Sequence, residues 1–156
     1  MIYPYITQNI LIWGGVSSNK LKNIQILMNK SLRLILKVTF NENFLPSITV
    51  NEMFKSLKLL KLGDIYKFFC FRFIHSLLYG NKMHKFTEHF SHLLPDHTYN
   101  TRGIKINLPV IHINIIKTLP LYNCIKLINN SPSFLIEPQS CITLKKRFKE
   151  YVFQSY

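Results

Sequence analysis

Acidic residues are scarce in this chain. Seven Asp and Glu stand against twenty Lys and Arg, a formal charge of +13. The seven (Glu42, Glu52, Asp64, Glu88, Asp96, Glu137 and Glu150) are scattered, with no two adjacent. Two-metal phosphoryl chemistry needs carboxylates that converge on ions about 4 Å apart, and this spacing offers no such set. Cysteine is scarce as well: Cys70, Cys124 and Cys141 are odd in number, far apart and without a CxxC pair. That argues against a disulfide framework and for a reducing, intracellular compartment, nuclear or cytoplasmic. The five glycines are isolated or paired, so there is no glycine-rich phosphate loop. The amino terminus lacks the basic region and small-residue cleavage site of a signal peptide. The most apolar run, Ile65–Tyr79, carries Lys67, Arg72 and His75 and is shorter than the roughly 18–20 residues of a membrane span. No membrane partner is expected.

What is abundant points elsewhere. With 47% hydrophobic and 13% aromatic residues, a chain of 156 residues can bury a sizeable core, and residues 1–156 read as a single domain. Its excess positive charge would repel itself in a compact monomer, so a polyanionic partner is expected. Nucleic acid, RNA or DNA, suits it better than a membrane surface, because the cations are spread along the chain.

The periodicity is mainly helical. Ser17–Val38 places Leu21, Ile24, Met28, Ser31, Leu32 and Ile35 on one side of a helix, widened by Leu27 and Leu34. Lys22, Lys30, Arg33 and Lys37 fall within about 80° of each other on the opposite side. No acid precedes Glu42, so nothing on this helix neutralises them. The alternative is a solvated face on an ordinary core helix. Before it, Met1–Trp13 reads as an apolar helix opened by Pro4 and broken at Gly14-Gly15.

Thr49-x-x-Glu52 has capping-box spacing and opens a short helix to about Leu57. Asp64 suits the start of the next helix. Its Ile65–Tyr79 portion should be the most enclosed, with Phe69 and Phe73 at the centre of the core, and Gly80 ends it. Lys82–Leu93 could form another helix, stopped by Pro95. Alternation at Ile104, Ile106, Leu108, Ile111, Ile113 and Ile115 favours a short extended or hairpin segment over residues 104–116. The last helix, from about Ser140 to Phe153, turns Leu144, Phe148, Tyr151 and Val152 inward and Lys145, Lys146 and Lys149 outward.

Catalysis finds little support. His84, His89, His92, Asp96 and His97 crowd one stretch, yet no Glu lies between His89 and His92 and no Cys is near, so a solvated helix end is the better reading. Neither a metal nor a cofactor is expected. His97-Thr98-Tyr99-Asn100-Thr101-Arg102-Gly103 stands out more. Arg102 can clamp a phosphate and Tyr99 can stack on a base. Equally, the segment could be a structural turn in which Arg102 bonds core carbonyls.

Several segments together resemble the region near the end of non-LTR (LINE-type, jockey-like) retrotransposon reverse transcriptases. Tyr99-Asn100-Thr101-Arg102, with Leu108-Pro109 after it, is similar to one motif of that family. The opening IYPYITQNILIWG, the helix ending Leu32-Arg33-Leu34-Ile35, and FKSLKLLKLGD (Phe54–Asp64) are similar to others. So are Lys126-Leu127-Ile128-Asn129 followed by Pro132, and LKKRFKEYV at the end. The order is collinear over essentially the whole chain. Ile128 stands where the family has Trp, Met28 where Gln is common, and no Gly follows Tyr122, departures that fit a decaying copy.

The resemblance implies a segment lying after the polymerase core, without the catalytic Tyr-x-Asp-Asp and without the endonuclease. It would be non-catalytic and would help hold template RNA or target DNA. The residues read above from the helix faces and the local constellation, Lys22, Lys30, Arg33, Lys37, Tyr99, Arg102, Lys145, Lys146 and Lys149, point the same way. The alternatives are a helical interaction module for an upstream polymerase domain, or a transposon remnant with no function of its own.

Overall fold

The helix Leu62–Tyr79 is apolar on nearly every side, so it needs partners on nearly every side, and it finds them. A computed structural model describes residues 3–15, 18–39, 49–80, 106–108 and 119–156. Among these the protein is mainly helical, with no strand. In chain order the α-helices are α1 (Tyr3–Thr7), α2 (Ile10–Trp13), α3 (Ser18–Thr39), α4 (Val50–Ser56), α5 (Leu62–Tyr79), α6 (Pro120–Asn129) and α7 (Cys141–Phe153). A single 3-10 turn, Ser133–Leu135, lies between the last two. Helices α2, α3, α6 and α7 all pack on α5.

Leu62, Ile65, Phe68, Cys70, Phe71, Ile74 and Leu77 of α5 are buried. Phe148 of α7 seats its ring 5.6 Å from those of both Phe68 and Phe71. Each such apolar side chain stabilises the fold by about 1.5–3 kcal/mol through burial. Phe69 and Phe73, expected at the centre of the core, are only partly buried against it. Among the described residues the fully buried aromatic positions are Phe54 and Phe148.

Helix α5 begins two residues earlier than Asp64 suggested, because its free amides are satisfied from a distance. Lys61 N–H donates to the Tyr156 hydroxyl (2.9 Å) and Leu62 N–H to Gln25 Oε1 of α3 (2.8 Å). The Tyr156 hydroxyl donates in turn to Asp64 Oδ2 (2.7 Å), and the Lys61 ammonium lies 4.2 Å from the Tyr156 ring centroid. At the other end Gly80 closes the helix on the Ser76 carbonyl, as its position predicted.

The opening apolar stretch is two short helices rather than one. Asn9 adopts a left-handed conformation (φ 53°) between α1 and α2, a conformation Asn tolerates better than most residues. Trp13 is half-buried against the core, and its indole N–H donates to the Gln8 carbonyl (2.8 Å). Gly14 lets α2 approach α5 closely, since a Cβ there would fall 2.5 Å from the Tyr66 ring.

The Thr49–Glu52 capping box is present in both directions. Helix α4 ends with Leu59 N–H on the Phe54 carbonyl and Lys58 N–H on the Lys55 carbonyl, a Schellman closure with Lys58 (φ 53°) where glycine is usual.

Helix α6 opens with Pro120 in its first turn and buries Cys124, Ile125 and Ile128. Ser140 caps α7 by accepting from Thr143 N–H (3.1 Å). Leu144, Phe148 and Val152 turn inward as expected, whereas Tyr151 is 41% exposed. Of the segment 104–116 only residues 106–108 are described. There Asn129 accepts from Ile106 N–H (3.0 Å) and donates to its carbonyl (2.7 Å), so one side-chain amide pairs with backbone as a neighbouring strand would. The rest of that segment and Lys82–Leu93 lie outside the described residues.

Candidate nucleic-acid interface

Helix α3 puts Met28, Leu32 and Leu36 into the core, with Leu21 and Ile24 half-buried beside them. The opposite side carries exposed Lys22, Lys30 and Arg33. Lys37 continues the helix, and its side chain is not among those described. No acid stands in the first turn of α3, and among the described residues no carboxylate pairs with Lys22, Lys30 or Arg33; ion pairs form instead between Lys67 and Asp64 and between Arg147 and Glu137. Lys22, Lys30 and Arg33 therefore meet solvent, and among the described residues no carboxylate offsets their charge. The expected apolar stripe is wider than the buried one: Leu27 and Leu34 are 62% and 65% exposed. Gln25, unremarked in the sequence, bonds Asn29 (2.7 Å) and serves as the cap for α5. Nothing local could have revealed that role, because its partner is 37 residues away.

On α7, Lys145 and Lys146 are exposed as expected. Lys149 is not simply outward. It is half-buried, and its ammonium donates to the Lys58 carbonyl (2.8 Å). Burial pushes its pKa below the usual lysine value, and the charges of Lys145 and Lys58 push the same way. Tyr99 and Arg102 lie outside the described residues, as do His84, His89, His92, Asp96 and His97.

Two of the grooves that border α5 carry lysines in their lining. The larger, about 790 Å³, runs past Gly15, Tyr66, Asn123, Lys126 and Tyr151. Beneath it Cys70 and Cys124 meet in the α5–α6 interface, both fully buried. Burial pushes the Tyr66 hydroxyl well above the ordinary phenol range, with the Cys70 and Cys124 thiols beside it adding to the effect. A hydrogen bond to Cys70, together with burial, pushes the Cys124 thiol up. Burial thus keeps the Tyr66 hydroxyl and the Cys124 thiol protonated, whereas hydrogen bonds from Cys124 and Tyr66 hold the Cys70 thiol below its ordinary value despite its burial.

The second groove, about 670 Å³, lies between α5 and α7 and is lined by Phe68, Phe69, Arg72, Ile142, Lys145 and Lys149 among others. Arg72 figured in the sequence only as a charge interrupting the apolar run, and not as a binding residue, although it stands three residues beyond Phe69 and so shares its helix face. Among the described residues no three His, Cys, Asp or Glu side chains could hold a metal ion together, and no helix is long and apolar enough to cross a membrane. Compared with protein-family models, curated proteins and solved structures, the chain matches none.

Proposed function

We propose that this chain is a non-catalytic, nucleic-acid-binding segment of a retrotransposon reverse transcriptase, holding template RNA or target DNA against helix α3. The observation that carries the reading is the exposed row Lys22, Lys30 and Arg33 on a helix whose other side is anchored in the core. A rigid cationic row of this kind neutralises phosphates and releases their counterions, which gives affinity without sequence preference. The collinear resemblance supplies the family, and the net charge of +13 is in keeping with a polyanionic partner.

Salt titration tests it. Affinity for RNA or DNA should fall linearly on a log–log plot, each phosphate contact contributing about 0.7 to the slope for single strands and about 0.9 for duplex DNA. Lys22→Gln with Lys30→Gln should flatten the slope by two contacts' worth while the fold persists, since exposed substitutions cost within about 0.5 kcal/mol. An unchanged slope in the folded double variant would remove α3 as the binding face.

A second reading, an interaction module for an upstream polymerase domain, is favoured by a different observation. Tyr5, Ile12, Leu27 and Leu34 expose 62–78% of their surface, more apolar surface than a helical row needs in water. On that reading the double variant matches the parent, and a purified polymerase domain supplied in trans binds the chain and covers these residues.

A further inference from the structure

The groove between α5 and α7 combines features that α3 lacks. Its floor is apolar and aromatic: Phe68 is buried, and the Phe69 ring stands nearly perpendicular to it at 5.8 Å. Its rim is cationic, with Arg72 on α5 and Lys145 and Lys149 on α7. No acid lines it, and among the described residues no carboxylate pairs with any of the three cations.

Lys149 is held in place. Its ammonium is fixed on the carbonyl of Lys58, itself in a left-handed conformation at the end of α4. A lysine anchored by one N–H keeps two for a ligand and has already lost much of its rotamer freedom. Burial first, and then the like charges of Lys145 and Lys58, disfavour its charged form, and an anion seated among them would relieve the repulsion.

We infer that this groove takes one nucleotide of a single-stranded nucleic acid, its phosphate among Arg72, Lys145 and Lys149 and its base against Phe69. The inference rests on the reading that the chain binds nucleic acid, and it adds a strand preference that α3 alone does not give. A cleft of about 670 Å³ falls within the range of roughly 300–1,000 Å³ that accommodates compact ligands. In a duplex the bases are stacked inward and only phosphates could reach the rim, whereas an unstacked base can enter. Phe69 and Arg72 are about 5–6 Å apart at Cβ by their helical spacing, close enough for one nucleotide to touch both.

The test uses the full chain with two probes, a fluorescein-labelled twelve-nucleotide thymidine oligomer and a labelled duplex of the same length, read by anisotropy across a salt series. Phe69→Leu keeps the position apolar. It should weaken oligomer binding roughly five- to 150-fold, the range for loss of one stacked base, with the salt slope and duplex affinity unchanged. Arg72→Gln, at an exposed position, should lower the oligomer's slope by about 0.7.

Equal loss on both probes, or no loss for either variant, would overturn the inference. The Lys22→Gln, Lys30→Gln variant separates it from the reading it rests on. If that variant loses slope while Phe69→Leu and Arg72→Gln match the parent, α3 binds and the groove does not. If only the groove variants lose oligomer affinity, the groove stands and α3 is excluded. A parent chain that binds neither probe at low salt overturns both.

Discussion

Asn129 offers the sharpest check on the packing, because one side chain does work usually shared among several backbone groups. It accepts from the Ile106 amide and donates to the Ile106 carbonyl at 3.0 and 2.7 Å, and Ile106 is only 2% exposed. Asn129→Ala strands both backbone groups where water reaches poorly. Each buried group left without a partner costs about 1–3 kcal/mol. Since Asn129 itself is part-buried, a total of about 2–4 kcal/mol is expected, a large share of the roughly 5–15 kcal/mol that holds a domain together.

Asn129→Asp is more discriminating. At neutral pH the carboxylate still accepts from the amide but turns a lone pair toward the Ile106 carbonyl, so the damage should equal or exceed that of alanine. Facing that carbonyl raises the folded-state pKa of the new acid above its unfolded value near 4. The deficit is therefore complete at neutral pH and shrinks as pH falls through that raised pKa, because the protonated acid can donate again. Urea unfolding followed by far-UV circular dichroism gives both quantities. An alanine variant within about 0.5 kcal/mol of the parent, the scale of an ordinary surface substitution, would refute the pairing. So would an aspartate variant whose deficit is the same at pH 7 and pH 4.

Phe54→Ala should cost about 3–5 kcal/mol by urea unfolding, because Phe54 is fully buried, and the half-buried Phe69 should cost clearly less when changed to Ala; equal losses would contradict the observed core. His75 accepts from Gln139 N–H through Nε2 (3.2 Å), and burial holds its pKa below the ordinary value, a hydrogen bond to the Glu137 backbone partly offsetting this. Its folded pKa is thus depressed, so stability is full above about 6.5 and declines as pH falls below it; His75→Gln should lose part of the decline between pH 7.5 and 5.5, and an identical pH profile would count against the bond. The purified chain should extend no primer on an RNA template with magnesium, because Glu52 is spent on a cap and Asp64 on Lys67 and Tyr156. Measurable extension would end the non-catalytic reading.

How much of this was legible in the sequence depends on how far each partner lies along the chain. The Thr49–Glu52 box, the Gly80 stop and the inward Leu144, Phe148 and Val152 were readable, because helix caps and amphipathic faces are local. The cationic row of α3 was readable for the same reason. The start of α5 was not, since Gln25 and Tyr156 reach it from 37 and 95 residues away. Phe69 and Phe73 were placed too deep because aromatic residues occur on nearly every side of α5, although Arg72, three residues beyond Phe69, marked the side that meets solvent; the seat of Phe148 shows which side is inward. Helix α6 escaped notice although Pro120 marks its start and Cys124, Ile125 and Ile128 follow a helical period. The α5–α7 groove could not be read at all, because it joins residues of two helices whose pairing the sequence leaves open.

Tyr156 has a consequence for the order in which the protein is made. It closes the first turn of α5 through Lys61 and Asp64, 95 and 92 residues upstream. At roughly 5–20 residues per second, a ribosome needs about 5–20 s to cover that interval. Throughout it α5 has neither the phenol at its amino end nor Phe148 over Phe68 and Phe71. The most apolar helix of the chain therefore emerges before its cover exists. A nascent chain halted before α7 should bind a chaperone through α5 and release it only when the last helix arrives.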